Sequence, residues 1–162
     1  MQREFLLFEG FNMPTPIVLC GRLEKVGRIV ISELEPDYEG ELVTHFIMSV
    51  EDGIRDLPLI LSGSSPVNDK GSLGSKNYSA LPKAIVLGGG YDEEAITRLH
   101  EAVTSSPVTV KMPWLKADLN KTKAGPTPGS EEYCRAAASR MKHTLGTILE
   151  RENLEPGEMF YW

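Results

Sequence analysis

Four carboxylates sit just beyond apolar runs of the chain: Glu51, Asp52, Asp92 and Asp118. A carboxyl group held in apolar surroundings keeps its proton at neutral pH and can act as a general acid. Arg22, Lys111 and Lys116 lie close to the same kind of position and carry the charge that stabilises an oxyanion. Tyr91 and Trp114 offer flat apolar faces to a ring. Gly88 and Gly89 open the run Gly88-Gly89-Gly90, where the absence of side chains lets a ligand approach the backbone. Together the glycines and aromatics suit an uncharged or aromatic ligand.

Other chemistries lack their spacing. His45, His100 and His143 form no H-E-x-x-H pattern, and His45, between Thr44 and Phe46, reads as a hydrogen-bonded core histidine. There is no G-x-S-x-G elbow, no P-loop and no Tyr-x-x-x-Lys pair. Cys20 and Cys134 make no C-x-x-C pair, so no metal site is expected and a reducing, cytoplasmic setting is. Gly21 and Gly27 match the outer glycines of a dinucleotide fingerprint, but Lys25 occupies the middle position and crowds a pyrophosphate. Asp92, Glu93 and Glu94 after the triple glycine repel phosphate and read as a helix cap. No cofactor is expected, although the basic group Arg22, Lys25 and Arg28 keeps an anion site open.

These residues need elements to position them. Ile17–Cys20, Leu42–Met48, Ala84–Leu87 and Val108–Met112 are short apolar or β-branched runs, the mark of strands buried on both faces. Between them lie helical patterns: Leu23 to Leu34, ended by Pro36; a weak helix opened by Ser49-x-x-Asp52 and broken near Pro58; and a strong one through Ala95, Ile96, Leu99 and Val103. A last helix spans about Glu131 to Glu152. Alternating strands and helices predict an α/β fold, a three-layer Rossmann-like or flavodoxin-like sandwich with about four parallel strands. The whole of 1–162 reads as one domain, with an N-terminal arm (1–15), long loops at 62–82 and 113–129, and a C-terminal tail (153–162). Ligands of such sheets bind beyond the carboxyl ends of the strands, which is where the chosen residues fall.

Length and charge agree. The chain has 162 residues, and a net charge of −6 argues against nucleic acid as a partner. No apolar run reaches the roughly 20 residues of a membrane helix, so no membrane partner is expected. The terminal Phe160-Tyr161-Trp162 must dock on its own domain or on a neighbouring subunit, which predicts a homo-oligomer.

Several segments together resemble a family of small fungal Rossmann-like, NAD(P)-binding-like proteins of polyketide pathways. They are Gly21-Arg22-x-Glu24-Lys25-Val26-Gly27-Arg28, His45 to Gly53, Val86 to Asp92, and Pro113 to Asp118. The resemblance runs from about residue 16 to the C-terminus. It implies intramolecular hydroalkoxylation of the kind found in phenalenone (herqueinone-type) biosynthesis, in which a phenol adds across a prenyl alkene and closes a dihydrofuran. It carries over no catalytic residue. Such a cyclase needs a proton donor. Asp52 and Asp92 fit helix caps, and lysines depress Asp118, which leaves Glu51 slightly ahead of Asp52 and Asp118. The substrate expected is a prenylated aromatic polyketide, met by Arg22, Gly88, Gly89, Tyr91, Lys111, Trp114 and Lys116. A degenerate NAD(P)-dependent reductase and a non-catalytic ligand-binding or partner domain are the alternatives.

Overall fold

The computed structural model describes residues 16–38, 42–67, 73–106, 112–151, 154–155 and 157–162. The chain order is β1 (Ile17–Cys20), α1 (Glu24–Tyr38), β2 (Val43–Ile47), α2 (Val50–Leu61), β3 (Ala84–Leu87) and α3 (Glu93–Thr104). It continues with β4 (Trp114–Lys116), α4 (Leu119–Ala124), α5 (Glu131–Ile148) and β5 (Met159–Tyr161). The strands form one sheet in the order β2-β1-β3-β4-β5, and every pairing is parallel. That is the flavodoxin-like order, with its switch point between β1 and β3.

Helices α1 and α5 pack on one face and α2 and α3 on the other. Alternation along the strands divides the core accordingly. Ile17, Leu19, Phe46, Val86 and Leu115 join Val30, Ala137 and Met141 on the α1/α5 face. Val18, Cys20, Ile47, Leu87 and Trp114 join Leu57, Ile60 and Leu99 on the α2/α3 face. Burial on both faces explains why these strands read as plain apolar runs.

The expected α/β sandwich is present, with differences that have physical causes. The sheet has five strands rather than about four, because the tail supplies β5, paired with β4 from Trp114↔Met159 to Lys116↔Tyr161. Trp162, just beyond it, is 1% exposed, and its indole Nε1 donates to the Leu87 carbonyl at 3.1 Å. The aromatic tail thus docks on its own domain, with Tyr161 left exposed. Residues 108–111 of the expected fourth strand lie outside the described residues, and β4 falls instead in the stretch read as a loop, which also holds α4. Pro36 lies inside α1 rather than ending it, and Pro58 lies inside an unbroken α2. A proline in a helix interior costs about 3 kcal/mol. In α2 the buried stripe Val50, Leu57, Ile60 and Leu61 offsets that cost. Gly53 fits there because a Cβ would come within 2.4 Å of Leu99.

The described part of the 62–82 loop is anchored. Ser75 and Lys76 donate their amides to the Val43 and Thr44 carbonyls, at 2.8 and 3.0 Å, along the outer edge of β2. Gly74 passes so close that a Cβ would lie 2.7 Å from the Val43 oxygen, and its φ of +110° suits glycine. His45 is a hydrogen-bonded core histidine, with Nδ1 2.7 Å from the Tyr78 hydroxyl. No described helix is long and apolar enough to cross a membrane.

Candidate functional site

Beyond the carboxyl ends of β1 and β3, at the switch point, a cavity of about 370 Å³ opens toward α1 and α5. Its floor is Leu19 and Phe46. Its walls are Val26 and Val30 from α1, Tyr133, Ala137 and Met141 from α5, and the ring of Trp162. The turns Gly21–Leu23 and Gly88–Gly90 form the end nearest the strands, while Leu119, Thr122, Pro128 and Gly129 reach over from α4 and the segment after it. Leu23 and Leu119 are 60% and 53% exposed, so the mouth is rimmed with apolar surface.

The sequence puts small residues where backbone must come close. Gly88 packs against β1: its amide donates to the Cys20 carbonyl at 2.8 Å, and a Cβ would stand 3.2 Å from that oxygen. Gly21 and Gly27 both face the Phe46 ring, which a Cβ on Gly27 would meet at 2.5 Å. The two outer glycines of the fingerprint are therefore accounted for by the packing of one phenylalanine. Lys25 is exposed on the first turn of α1, outside the cavity lining.

Of the residues singled out from the sequence, Arg22, Gly88 and Gly89 line the cavity. Arg22 lies across Gly90, donating from Nε to its carbonyl at 3.2 Å, with the guanidinium 4.6 Å from the centre of the Tyr91 ring. No carboxylate pairs with it among the described residues. Tyr91 itself is not a wall. It is buried in the α2/α3 core, and its hydroxyl donates to the carbonyls of Ile47 (3.0 Å) and Gly21 (3.4 Å). It ties the ends of β1, β2 and β3 together, and burial pushes its phenol far above the ordinary range. Trp114 is buried on that same face, 5.3 Å from the His100 ring, and does not line the cavity.

The three candidate acids are elsewhere. Glu51 is exposed on α2 and pairs with Arg98 at 3.7 Å. Asp52 pairs with Arg55 at 3.1 Å. It follows the N-cap Ser49, whose hydroxyl accepts the Asp52 amide at 3.1 Å as the sequence signature foretold. Asp118 caps α4, accepting the amides of Asn120 (3.0 Å) and Lys121 (3.4 Å). Asp92 caps α3 through the Ala95 amide at 2.8 Å. Lys116 is paired with Glu93 and stands over the Tyr161 ring, away from the cavity. Lys111 lies outside the described residues. Among the described residues, the cavity lining carries no carboxylate.

What the sequence reading missed is Tyr133, Phe46, Met141 and Trp162. Tyr133 and Met141 recur at four-residue spacing with the buried Ala137, on one face of α5. The small Ala137 between two large side chains is the trace of a cavity wall. Tyr133 matters most. Its hydroxyl lies 3.7 Å from where a Cβ on Gly89 would be, and it makes no hydrogen bond among the described residues. Burial raises its pKa, partly opposed by the charge of Arg140, so the phenol stays protonated. Cys20 also borders the cavity, but full burial pushes its thiol up to about 12, which makes it a poor nucleophile.

The arrangement suits an apolar ring. Three aromatic side chains and a methionine give it surface, and the polar groups gather at the glycine turns. Among known proteins, Kojic acid related protein 6 of Aspergillus oryzae is 32% identical over 146 residues, spanning 90% of this chain and 85% of that protein. No family model matches the chain. No solved structure matches it.

Proposed function

The chain belongs to the same family as Kojic acid related protein 6 of Aspergillus oryzae, and on that premise we propose that it is a cyclase of a fungal biosynthetic pathway. It takes an oxygenated aromatic ring into the switch-point cavity and closes a further ring through a phenolic oxygen. The observation that carries this reading is the cavity: apolar on nearly every side, with the guanidinium of Arg22, which meets no carboxylate among the described residues, at its polar end.

The reaction is intramolecular hydroalkoxylation. The phenol oxygen forms a C–O bond to one alkene carbon, the other alkene carbon gains a proton, and the phenol loses one. Substrate and product are isomers, so the step consumes no reductant or oxidant. The cavity contributes orientation and exclusion of water. Arg22 stabilises charge on the phenol oxygen, and the aromatic walls tolerate positive charge developing on the alkene. Tyr133 is a protonated hydroxyl of the lining, placed to donate a hydrogen bond to the ring oxygen.

The test uses a prenylated phenol as substrate and pure protein. A product of unchanged mass with a new retention time and a dihydrofuran NMR signature is expected. Recovery of unaltered phenol, with the ring bound, reduces the protein to a carrier. NADPH is expected to give no saturable heat in the micromolar range, because the Phe46 ring is packed against Gly21 and Gly27, where a fingerprint's glycines would admit a pyrophosphate. Tight NADPH binding overturns the reading in favour of a reductase.

A further inference from the structure

The way the cavity holds the ring's oxygen is written in the turn after β3. Gly88 and Tyr91 have partners for their amides, in the carbonyls of Cys20 (2.8 Å) and Gly88 (3.3 Å). The amides of Gly89 and Gly90, between them, meet no acceptor among the described residues, and both glycines line the cavity. Arg22 flanks this turn on one side. Its Nε is engaged by the Gly90 carbonyl, and its terminal nitrogens are unpaired among the described residues. Tyr133 flanks it on the other side, with its unbonded hydroxyl nearest to Gly89. Donors therefore converge on one short turn, in a lining without a carboxylate to receive them. Gly89, Gly90 and Arg22 are exposed and Tyr133 is half-buried, so an anion seated there exchanges water for several fixed donors at once.

We propose that the Gly88–Gly90 turn is an oxyanion site, and that the ring is held there as a phenolate or enolate between the Arg22 guanidinium and the Tyr133 hydroxyl. This deepens the reading of the cavity given above and rests on it. A neutral phenol keeps its own proton and leaves the donors competing for one lone pair. The ionised oxygen accepts from all of them.

The surrounding charges do not reverse this preference. On α1, Glu24 is held by Arg28 at 2.8 Å, while Lys25 adds positive charge. On α2, Glu51 and Asp52 are paired with Arg98 and Arg55. On α3, Glu93 is paired with Lys116, Asp92 is engaged by the Ala95 amide at 2.8 Å, and Glu94 is exposed to solvent. On α5, Arg140 acts on Tyr133 as a positive neighbour, and the buried Cys134 thiol is held neutral. Tyr133 therefore remains a donor across the range in which an activated phenol ionises.

4-Nitrophenol tests this directly, because its phenolate absorbs at longer wavelength than its phenol. 4-Nitroanisole, which has no ionisable oxygen, is the ring control. Both probes are expected to quench Trp162, and bound nitrophenol is expected to ionise about one pH unit or more below the free compound, a tenfold preference for the phenolate. Arg22→Met and Tyr133→Phe are each expected to shrink that shift while nitroanisole binding persists. Arg22 is exposed, so its replacement leaves folding intact even if that of Tyr133 does not. Binding of both probes with no downward shift overturns the oxyanion site and leaves the ring cavity standing. Displacement of the phenolate by inorganic phosphate at equal concentration overturns the ring oxygen as the ligand. Failure of both probes to bind overturns the cavity reading and the site with it.

Discussion

The two faces of the sheet meet the same strand ends and treat them in opposite ways. On the α2/α3 face, Tyr91, Trp114 and Leu99 fill the space against the strand ends, and a groove remains farther out, between Ile54 of α2 and Arg98 of α3. Asp56, buried to 1%, takes two hydrogen bonds from Arg55, at 2.9 and 3.0 Å. On the α1/α5 face, Gly27, Ala137 and the glycine turns leave a cavity, and Tyr133, Arg22 and two amides remain unmatched around it. The two faces differ in volume rather than in buried polarity: the Tyr133 hydroxyl stands beside the cavity, whereas the buried Thr44 Oγ1 and Arg140 Nε, which lack partners among the described residues, lie outside its lining.

The comparison breaks most severely at Trp114. Trp114→Ala empties the closed face and is expected to lower the unfolding free energy by about 3–5 kcal/mol in urea, with nitroanisole affinity of the folded fraction unchanged within twofold. A large loss of affinity instead means that the two faces are not independent. Next is Arg22→Met on the open face. It is expected to weaken binding of the nitrophenolate by about tenfold or more, as a charged hydrogen bond of about 1.5–3 kcal/mol is lost, while the urea midpoint stays put. Gly27→Ala comes third, pushing the Phe46 ring toward the cavity. It is expected to cost about 1–3 kcal/mol and to weaken both probes, seen by calorimetry.

The fourth effect is a pH dependence. Burial raises the Cys20 thiol from 9.0 to about 12, so the folded state keeps a proton that the unfolded chain releases. Stability is then full below pH 9 and falls as the pH rises toward 12. The buried phenols of Tyr91 and Tyr133 add to the same slope. Urea midpoints measured from pH 8 upward are expected to decline, and less steeply in Cys20→Ala. The smallest effect sharpens the contrast: Glu51→Gln and Asp52→Asn, exposed and paired outside the cavity, are expected to change stability by less than about 0.5 kcal/mol and probe affinity by less than twofold.

The fold was legible where local pattern and tertiary role agree. Ile17–Cys20 and Ala84–Leu87 announce themselves because both of their faces are buried, and Ser49 and Asp92 because capping is local chemistry. Pro58 misled because its penalty is local, whereas the burial of Leu57 and Ile60 that outweighs it is not. The site was half legible. Strand-end position selected Arg22, Gly88 and Gly89, which line the cavity, but could not say toward which face a neighbour points. One step along β4 separates Trp114, on the closed face, from Leu115, on the open one. Trp162 was out of reach, since its place depends on a tail that pairs with β4 from the far end of the chain.

The anchored segment beside β2 has a consequence for how the protein keeps to itself. An outermost strand with free carbonyls is a template on which another chain can lay its own backbone, and stacked additions of that kind grow into insoluble fibrils. Ser75 and Lys76 occupy the Val43 and Thr44 carbonyls that such a strand would use, and Gly74 alone lets them approach closely enough to do so. One glycine in an unassuming loop thus guards the solubility of the whole sheet along that edge.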